Sequence, residues 1–222
     1  MLKFLIIRHG ETFSNAEERF SGQQDVGLTE KGIWQAEQLA NRLQAFPIQA
    51  IYSSDLKRSI HTASIIASKH SLTLQIEPLF REICFGEWEG LRWEEIDPEN
   101  SKEQFRDWWR QPYRPFPGGE SISDLKRRVK CGLKKIIAEY DNDEQGNTIN
   151  TIAIVCHGGV TRIIISIALD IPLEKIWYIK QYSTALNIII YHNPNIFWVE
   201  SINDINHLQV PGKDGRKQVI EK

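Results

Sequence analysis

The sequence predicts an α/β protein, a three-layer α/β/α sandwich around a central, mostly parallel sheet, and three observations carry that expectation. Two short apolar runs, residues 4–7 and 151–155, have the length and β-branched character of strands buried on both faces, and each leads into a histidine and a glycine. Around them lie segments with apolar residues at three- and four-residue spacing, the pattern of helices that cover such a sheet. A length of 222 residues with 41% hydrophobic content suffices for one sizeable core. A single domain is therefore expected over residues 1–207, followed by a polar, frayed tail at 208–222.

The first strand runs into Arg8-His9-Gly10-Glu11-Thr12, and in open α/β sheets chemistry gathers at such carboxyl ends. Residues 11–26 are polar and long for a connection, which suits a functional loop with a turn of helix. Thr29 can cap a helix over residues 30–46 with Ile33, Ala36, Leu39, Ala40 and Leu43 inward, and Pro47 ends it. Residues 50–53 are a second strand. Ser54 or Asp55 then caps a helix reaching Lys69, with Ile60, Ala63, Ile66 and Ala67 on its inner face. Arg58 falls in its first turn, where free backbone N–H groups favour an anion.

A third strand is read at 72–77. Residues 78–117 loosen into an insertion over the site, with Arg81-Glu82, Gly86-Glu87-Trp88-Glu89-Gly90, Trp93, Trp108 and Trp109, and a helix around 103–110. The tryptophans read as packing. After the Pro117-Gly118-Gly119 turn, Ser121 caps a long helix with Ile122, Leu125, Val129, Leu133, Ile136 and Ile137 inward. Its basic run, Lys126-Arg127-Arg128, reads as a solvated face rather than a nucleic-acid patch. A polar loop spans 141–150, and the strand at 151–155 leads through Cys156-His157-Gly158-Gly159 into a helix from Val160 to Leu169. Strands at 186–191 and 197–202 form a hairpin turned at Asn193-Pro194-Asn195. Its apolar edge suits either a homodimer contact or the core.

A formal net charge of −2 and a pI near 6.3 provide no field that would gather nucleic acid or an anionic membrane, so any anion site must be local. Cys84, Cys131 and Cys156 have neither metal-like spacing nor an even-numbered framework, as expected of reduced thiols in a cytoplasmic protein, and Cys84 and Cys156 read as inert packing. No apolar run approaches the roughly 20 residues that span a bilayer, and the chain begins directly with a strand. His-Glu-x-x-His, Cys-x-x-Cys and Gly-x-x-x-x-Gly-Lys-[Ser/Thr] patterns are lacking, so zinc-hydrolase and nucleotide-triphosphatase readings have little support; the expectation is of no metal and no other cofactor.

Two strands thus deliver His9 and His157 to one edge of the sheet, and a strand-to-helix junction between them brings Arg58. With Arg8 and Glu82 the set holds a nucleophile, a second imidazole, two guanidiniums and a carboxyl group. A phosphate monoester asks for this inventory. Arginine matches its oxygens, a neutral imidazole attacks phosphorus, and a carboxylic acid protonates the departing alkoxide.

These residues carry a resemblance. Arg8-His9-Gly10-Glu11-Thr12 with Asn15, Gly22 to Thr29 with Gly32, Gln35 and Ala36, Ser53 to Arg58 with Thr62-Ala63, Glu82 with 86–90, and His157-Gly158-Gly159 resemble the histidine phosphatase superfamily, the phosphoglycerate-mutase-like group. The five segments stand in the family's order over residues 2–160. The resemblance implies that His9 becomes a phosphohistidine, that Arg8, Arg58 and His157 bind the phosphoryl group, and that Asn15, Ser21, Gly22 and Gly158 add substrate contacts. Glu82 would act as general acid, then as the base that activates water. A dianion bound beside a carboxyl group favours its protonated form.

The same group holds phosphatases and mutases. Mutases tend to carry a longer insertion after the glutamate, with a lysine and paired arginines. Here the region is short and Arg106, Arg110 and Arg114 are dispersed, so hydrolysis of a small phosphomonoester is expected. Residues 85–90, 117–121 and 185–187 resemble alpha-ribazole phosphatases of cobalamin biosynthesis, although Cys84 stands where Asp is common. Alpha-ribazole 5′-phosphate is thus the leading single substrate. The alternatives are a phosphoglycerate mutase-type transferase and a non-catalytic phosphate- or phosphopeptide-binding module.

Overall fold

The computed structural model describes residues 1–96, 108, 110–141, 149–193, 196–211 and 217–219. A six-stranded sheet is built from β1 (Leu2–Arg8), β2 (Ile48–Ser53), β3 (Leu74–Ile76), β4 (Asn150–Cys156), β5 (Leu186–Asn193) and β6 (Ile196–Asp204), in the order β3-β2-β4-β1-β5-β6. The four strands β3, β2, β4 and β1 are parallel, while β5 runs antiparallel to β1 and β6 antiparallel to β5. In β1 and β4, Arg8 pairs with Cys156. His9 and His157, the next residue of each, therefore leave the sheet side by side.

Period-two alternation sorts the strand side chains between two cores. Phe4 and Ile6 with Ile152 and Ile154 join one apolar cluster; Leu5 and Ile7 with Ala153 and Val155 join the other. The helices are α1 (Phe13–Ala16), α2 (Glu30–Leu43), α3 (Lys57–Ser68), α4 (Trp93–Ile96), α5 (Ile122–Tyr140) and α6 (Gly158–Leu169). Helices α5 and α6 cover the first face through Leu125, Val129, Leu133, Val160 and Ile163, and α2 and α3 cover the second through Leu39, Leu43, Ala63 and Ile66. Each fully buried Leu, Ile or Phe contributes roughly 1.5–3 kcal/mol, so a one-residue slip of a central strand is strongly disfavoured. The three-layer expectation holds. Among the described residues no helix is long and apolar enough to cross a membrane.

Several local expectations are corrected. Helix α2 ends at Leu43, and Gln35 rather than Ile33 is buried on its inner face, because the Gln35 side-chain oxygen accepts the Glu11 N–H at 3.0 Å. Neither Ser54 nor Asp55 caps α3: its N-cap position is Leu56, and Asp25 of the 11–26 loop accepts the Lys57 N–H at 2.7 Å instead. On α3 the inward polar residues are Arg58, Ser59 and Thr62, and Ile60 is only half-buried. Strand β3 is shorter than read and α6 begins two residues earlier. Ser121 caps α5 as expected, in a capping box with Asp124. The tail is not frayed throughout, since Leu208 is buried and β7 (Gln209–Pro211) pairs antiparallel with β8 (Lys217–Val219). Most of the helix read around 103–110, with Arg106 and Trp109, lies outside the described residues, as do most of the 141–150 loop and the hairpin-turn residues Pro194 and Asn195.

Candidate active site

His9 is 3% exposed and sits where β1 ends, its backbone N–H donating to the Cys156 carbonyl at 2.9 Å and its carbonyl accepting from the Thr184 N–H at 3.2 Å. Its ring Nδ1 lies 2.7 Å from the Gly10 carbonyl. A carbonyl only accepts, so Nδ1 carries the proton and Nε2 keeps its lone pair. Burial, reinforced by the Arg58 and Arg8 charges, pushes the His9 imidazole well below its ordinary value of 6.5. His157 stands beside it with ring centroids 5.1 Å apart. The Ser54 hydroxyl meets His157 Nε2 at 2.7 Å, which leaves Nδ1 buried without a partner. Burial, then the Arg58 charge, depresses this imidazole as well. Both rings are neutral near pH 7.

Arg8 donates through Nη1 to the Gln181 carbonyl at 2.6 Å, and its Nε is buried without a partner. Arg58 is 0% exposed and spends both terminal nitrogens on loop carbonyls, Nη1 on Gln24 at 2.6 Å and Nη2 on Gly22 at 2.7 Å. Its Nε too has no partner. Burial lowers the Arg58 guanidinium to about 10, which still leaves it charged at neutral pH. Neither arginine has an ion-pair partner among the described residues. Gly22 makes the loop turn at φ +48°, a conformation strained for any other residue, and a Cβ there would fall 2.0 Å from Glu89 Oε1 and have to displace that side chain.

Glu82 approaches from the 78–96 segment. Its carboxylate accepts the Gly159 N–H at 3.1 and 3.2 Å through its two oxygens, and Oε1 accepts the Ile83 N–H at 2.9 Å. A Cβ at Gly159 would lie 2.4 Å from Glu82 Oε1, so the Gly158-Gly159 pair admits the carboxylate to the start of α6 and is more than a turn. Arg128 then corrects the solvated-face reading of α5. Its guanidinium donates to the carbonyls of Leu79, Arg81 and Glu82 at 2.9, 2.6 and 2.8 Å and pairs with Glu120 at 3.1 and 2.6 Å, so it clamps the segment that carries Glu82. Arg81, bound to Asp55 through two nitrogens, ties the same segment to the start of α3.

Arg8, His9, Arg58 and Glu82 line one cavity of about 190 Å³ together with Asn15, Ser21, Gly22 and Gly158. His157 is not on the cavity wall and is 0% exposed behind it. The Ser21 hydroxyl is another buried polar atom without a partner. Buried polar groups are nearly always hydrogen-bonded, and each unmade bond costs about 1–3 kcal/mol. Among the described residues three such atoms, at Arg8, Ser21 and Arg58, belong to residues that line this space, and a fourth, at His157, lies in the residue just behind it; together they call for a compact, oxygen-rich anion.

Sequence reasoning missed Arg128, whose place in a basic run concealed its inward turn, and Ser54, taken for a cap. It also missed Arg162 and Trp177 on the cavity wall. Arg162 stands four residues after Gly158 on one helix, and that spacing was a readable signal. Burial pushes the Cys156 thiol up to about 12 and raises that of Cys84, consistent with inert packing. Among the described residues no group of three or more His, Cys, Asp or Glu side chains is arranged to hold a metal ion.

Comparison with known proteins agrees on the architecture. Residues 4–205 match the family described as histidine phosphatase superfamily (branch 1). The chain is similar to phosphoserine phosphatase 1 of Hydrogenobacter thermophilus, 34% identical over 190 residues that cover 85% of this chain and 86% of the relative. It is also similar to a probable phosphoglycerate mutase, GpmB, of Yersinia pestis, 31% identical over 224 residues covering 96% and 98%. Among solved structures, the alpha-ribazole phosphatase of Shigella flexneri superposes with a TM-score of 0.77 at 27% identity, covering 91% of this chain and 96% of that one.

Two measurements follow from this geometry. Because both imidazoles are depressed in the folded protein, they take up protons only below the usual 6.5, and the stability they confer is complete above that pH and lost as pH falls beneath it. NMR titration should show His9 and His157 still neutral at pH 6.5, whereas half-protonation there would contradict the assignment. Arg128→Met should lower stability by about 1–3 kcal/mol in urea unfolding through the lost charge-assisted bonds. A change below about 0.5 kcal/mol, the range of ordinary surface substitutions, would show that the clamp is idle.

Proposed function

The chain belongs to the histidine phosphatase superfamily (branch 1) and is a phosphatase of that family, and on that premise we propose that it hydrolyses small phosphomonoesters through a phosphohistidine at His9. The unprotonated Nε2 of a neutral His9 attacks phosphorus as the ester P–O bond breaks. Arg8 Nε, Arg58 Nε, His157 Nδ1 and the Ser21 hydroxyl donate to the phosphoryl oxygens, with Asn15 and the backbone at Gly22 and Gly158 completing the cradle. Preorganised donors of this kind supply most of the help a phosphoryl transfer needs. Glu82 gives its proton to the leaving oxygen, then takes one from the water that cleaves the P–N bond and releases inorganic phosphate. The observation that carries this reading is the set of partnerless donors gathered around a histidine whose other nitrogen is already committed to Gly10.

The substrate choice turns on what the likeness to alpha-ribazole phosphatases touches. Gly86 and Gly119 press against each other, and Asn187 belongs to a buried network with Gln181, the residue whose carbonyl holds Arg8. Of these segments only Phe85 lines the cavity. The likeness therefore speaks for the frame of the site more than for its contents. A space of about 190 Å³ is smaller than the roughly 300–1,000 Å³ of sites for drug-sized ligands and suits a short phosphorylated metabolite. We rank phosphoserine, the substrate in the name of the Hydrogenobacter relative, ahead of alpha-ribazole 5′-phosphate.

Incubation with a ³²P-labelled monoester should yield an acid-labile phosphohistidine, absent in His9→Ala, together with released inorganic phosphate. Label without release would favour a mutase, and no label a binding module. Glu82→Gln should lower kcat about 10²–10⁴-fold on alkyl phosphates. The loss should be much smaller on p-nitrophenyl phosphate, whose leaving group needs no proton. Equal losses on both would remove Glu82 from the acid role.

A further inference from the structure

We propose that Arg162, held against Trp177, forms a second anion subsite beside the phosphoryl position, so that the preferred substrate carries a carboxylate a few bonds from its phosphate. The proposal rests on the phosphatase reading above and narrows its substrate class. Arg162 lies one helical turn after Gly158 on α6, which sets its side chain over that glycine. A Cβ at Gly158 would fall 2.8 Å from Arg162 Nη1 and 3.7 Å from Arg8 Nε, so the two guanidiniums flank the same bare patch of backbone.

Arg162 is fixed but not consumed. Its Nε donates to the Ile179 carbonyl at 2.8 Å, and its guanidinium carbon stands 5.2 Å from the centre of the Trp177 ring. Among the described residues neither terminal nitrogen has a hydrogen-bond partner, and no carboxylate lies within ion-pair distance. Arg19, also on the cavity wall, is by contrast occupied by Glu17, Glu95 and the Gly90 carbonyl. Burial, with the Arg8 charge adding to it, pulls the Arg162 guanidinium down to about 10, the mark of a cation that lacks a sufficient counter-charge.

The charges of the cavity point the same way. A phosphoryl dianion meets Arg8 and Arg58, and among the described residues Glu82 is the one carboxylate whose charge reaches the third guanidinium, from a distance. A carboxylate can accept from both terminal nitrogens of Arg162 at once, the geometry that makes arginine selective for planar anions. The closeness of Arg162 to Arg8 limits the spacer to a short chain, as in two- and three-carbon phosphorylated acids.

Two substrate pairs that differ only in the carboxylate test this: phosphoserine against phosphoethanolamine, and phosphoglycolate against 2-hydroxyethyl phosphate. The wild-type protein should prefer the acid in each pair by about 10–100-fold in kcat/KM, the range of one charge-assisted contact, with the difference mainly in KM. Arg162→Met should abolish the preference and Arg162→Lys keep part of it. A wild-type protein that treats both members alike overturns the subsite, whether or not the variants fold. So does an Arg162→Met that loses equally on the acids, their carboxylate-free partners and p-nitrophenyl phosphate, since Arg162 would then serve the phosphoryl group itself. Failure of the phosphatase reading would look different: no turnover of p-nitrophenyl phosphate and no phosphohistidine.

Discussion

Arg58 is a fully buried charge without an ion-pair partner among the described residues, and much of the surrounding structure can be understood as the means of keeping it there. A buried ion unpaired by an opposite charge costs several kcal/mol. The carbonyls of Gly22 and Gln24 offset part of that cost, and in doing so the arginine pins the 11–26 loop over the end of the sheet. The loop returns the favour, because Asp25 supplies the cap that α3 lacks in its own sequence. What the protein does not satisfy is Nε, and that remainder is what a phosphoryl group would complete.

Residues 54–58 hold the whole arrangement in register. Ser54 orients His157, Asp55 grips Arg81 next to Glu82, and Arg58 gathers the loop. The parallel pairing of Arg8 with Cys156 brings the two imidazoles to one level without any further device. Arg128 and Glu120 then close the structure from the opposite layer by fixing the backbone on both sides of Glu82. Site geometry thus draws on both faces of the sheet, so stability of the frame and precision of the site are coupled.

Much of this was legible in the sequence for simple reasons. Short apolar runs that lead into His9 and His157 announce buried strands whose carboxyl ends carry chemistry, and Ser121 ahead of a periodic apolar stripe announces a helix start. Arg58, Glu82 and the glycines stood out because residue type and order together are restrictive. The failures have a common physical origin, since short-range rules assume that a polar side chain serves its nearest backbone. Ser54 and Asp55 look like caps, yet tertiary partners claim both. Arg128 looks solvated because its neighbours on α5 are, and only its position on the turn facing residues 79–82 distinguishes it. Gln35 is buried where an apolar residue was expected because a loop N–H needs it.

The most direct test of the central claim is the structure of the protein with orthovanadate, which adopts the five-coordinate geometry of a phosphoryl group in transfer. Vanadium bonded to His9 Nε2, with its equatorial oxygens accepting from Arg8 Nε, Arg58 Nε and His157 Nδ1, is the predicted result. Vanadate bound elsewhere, or in the cavity but away from His9 Nε2, would contradict the account.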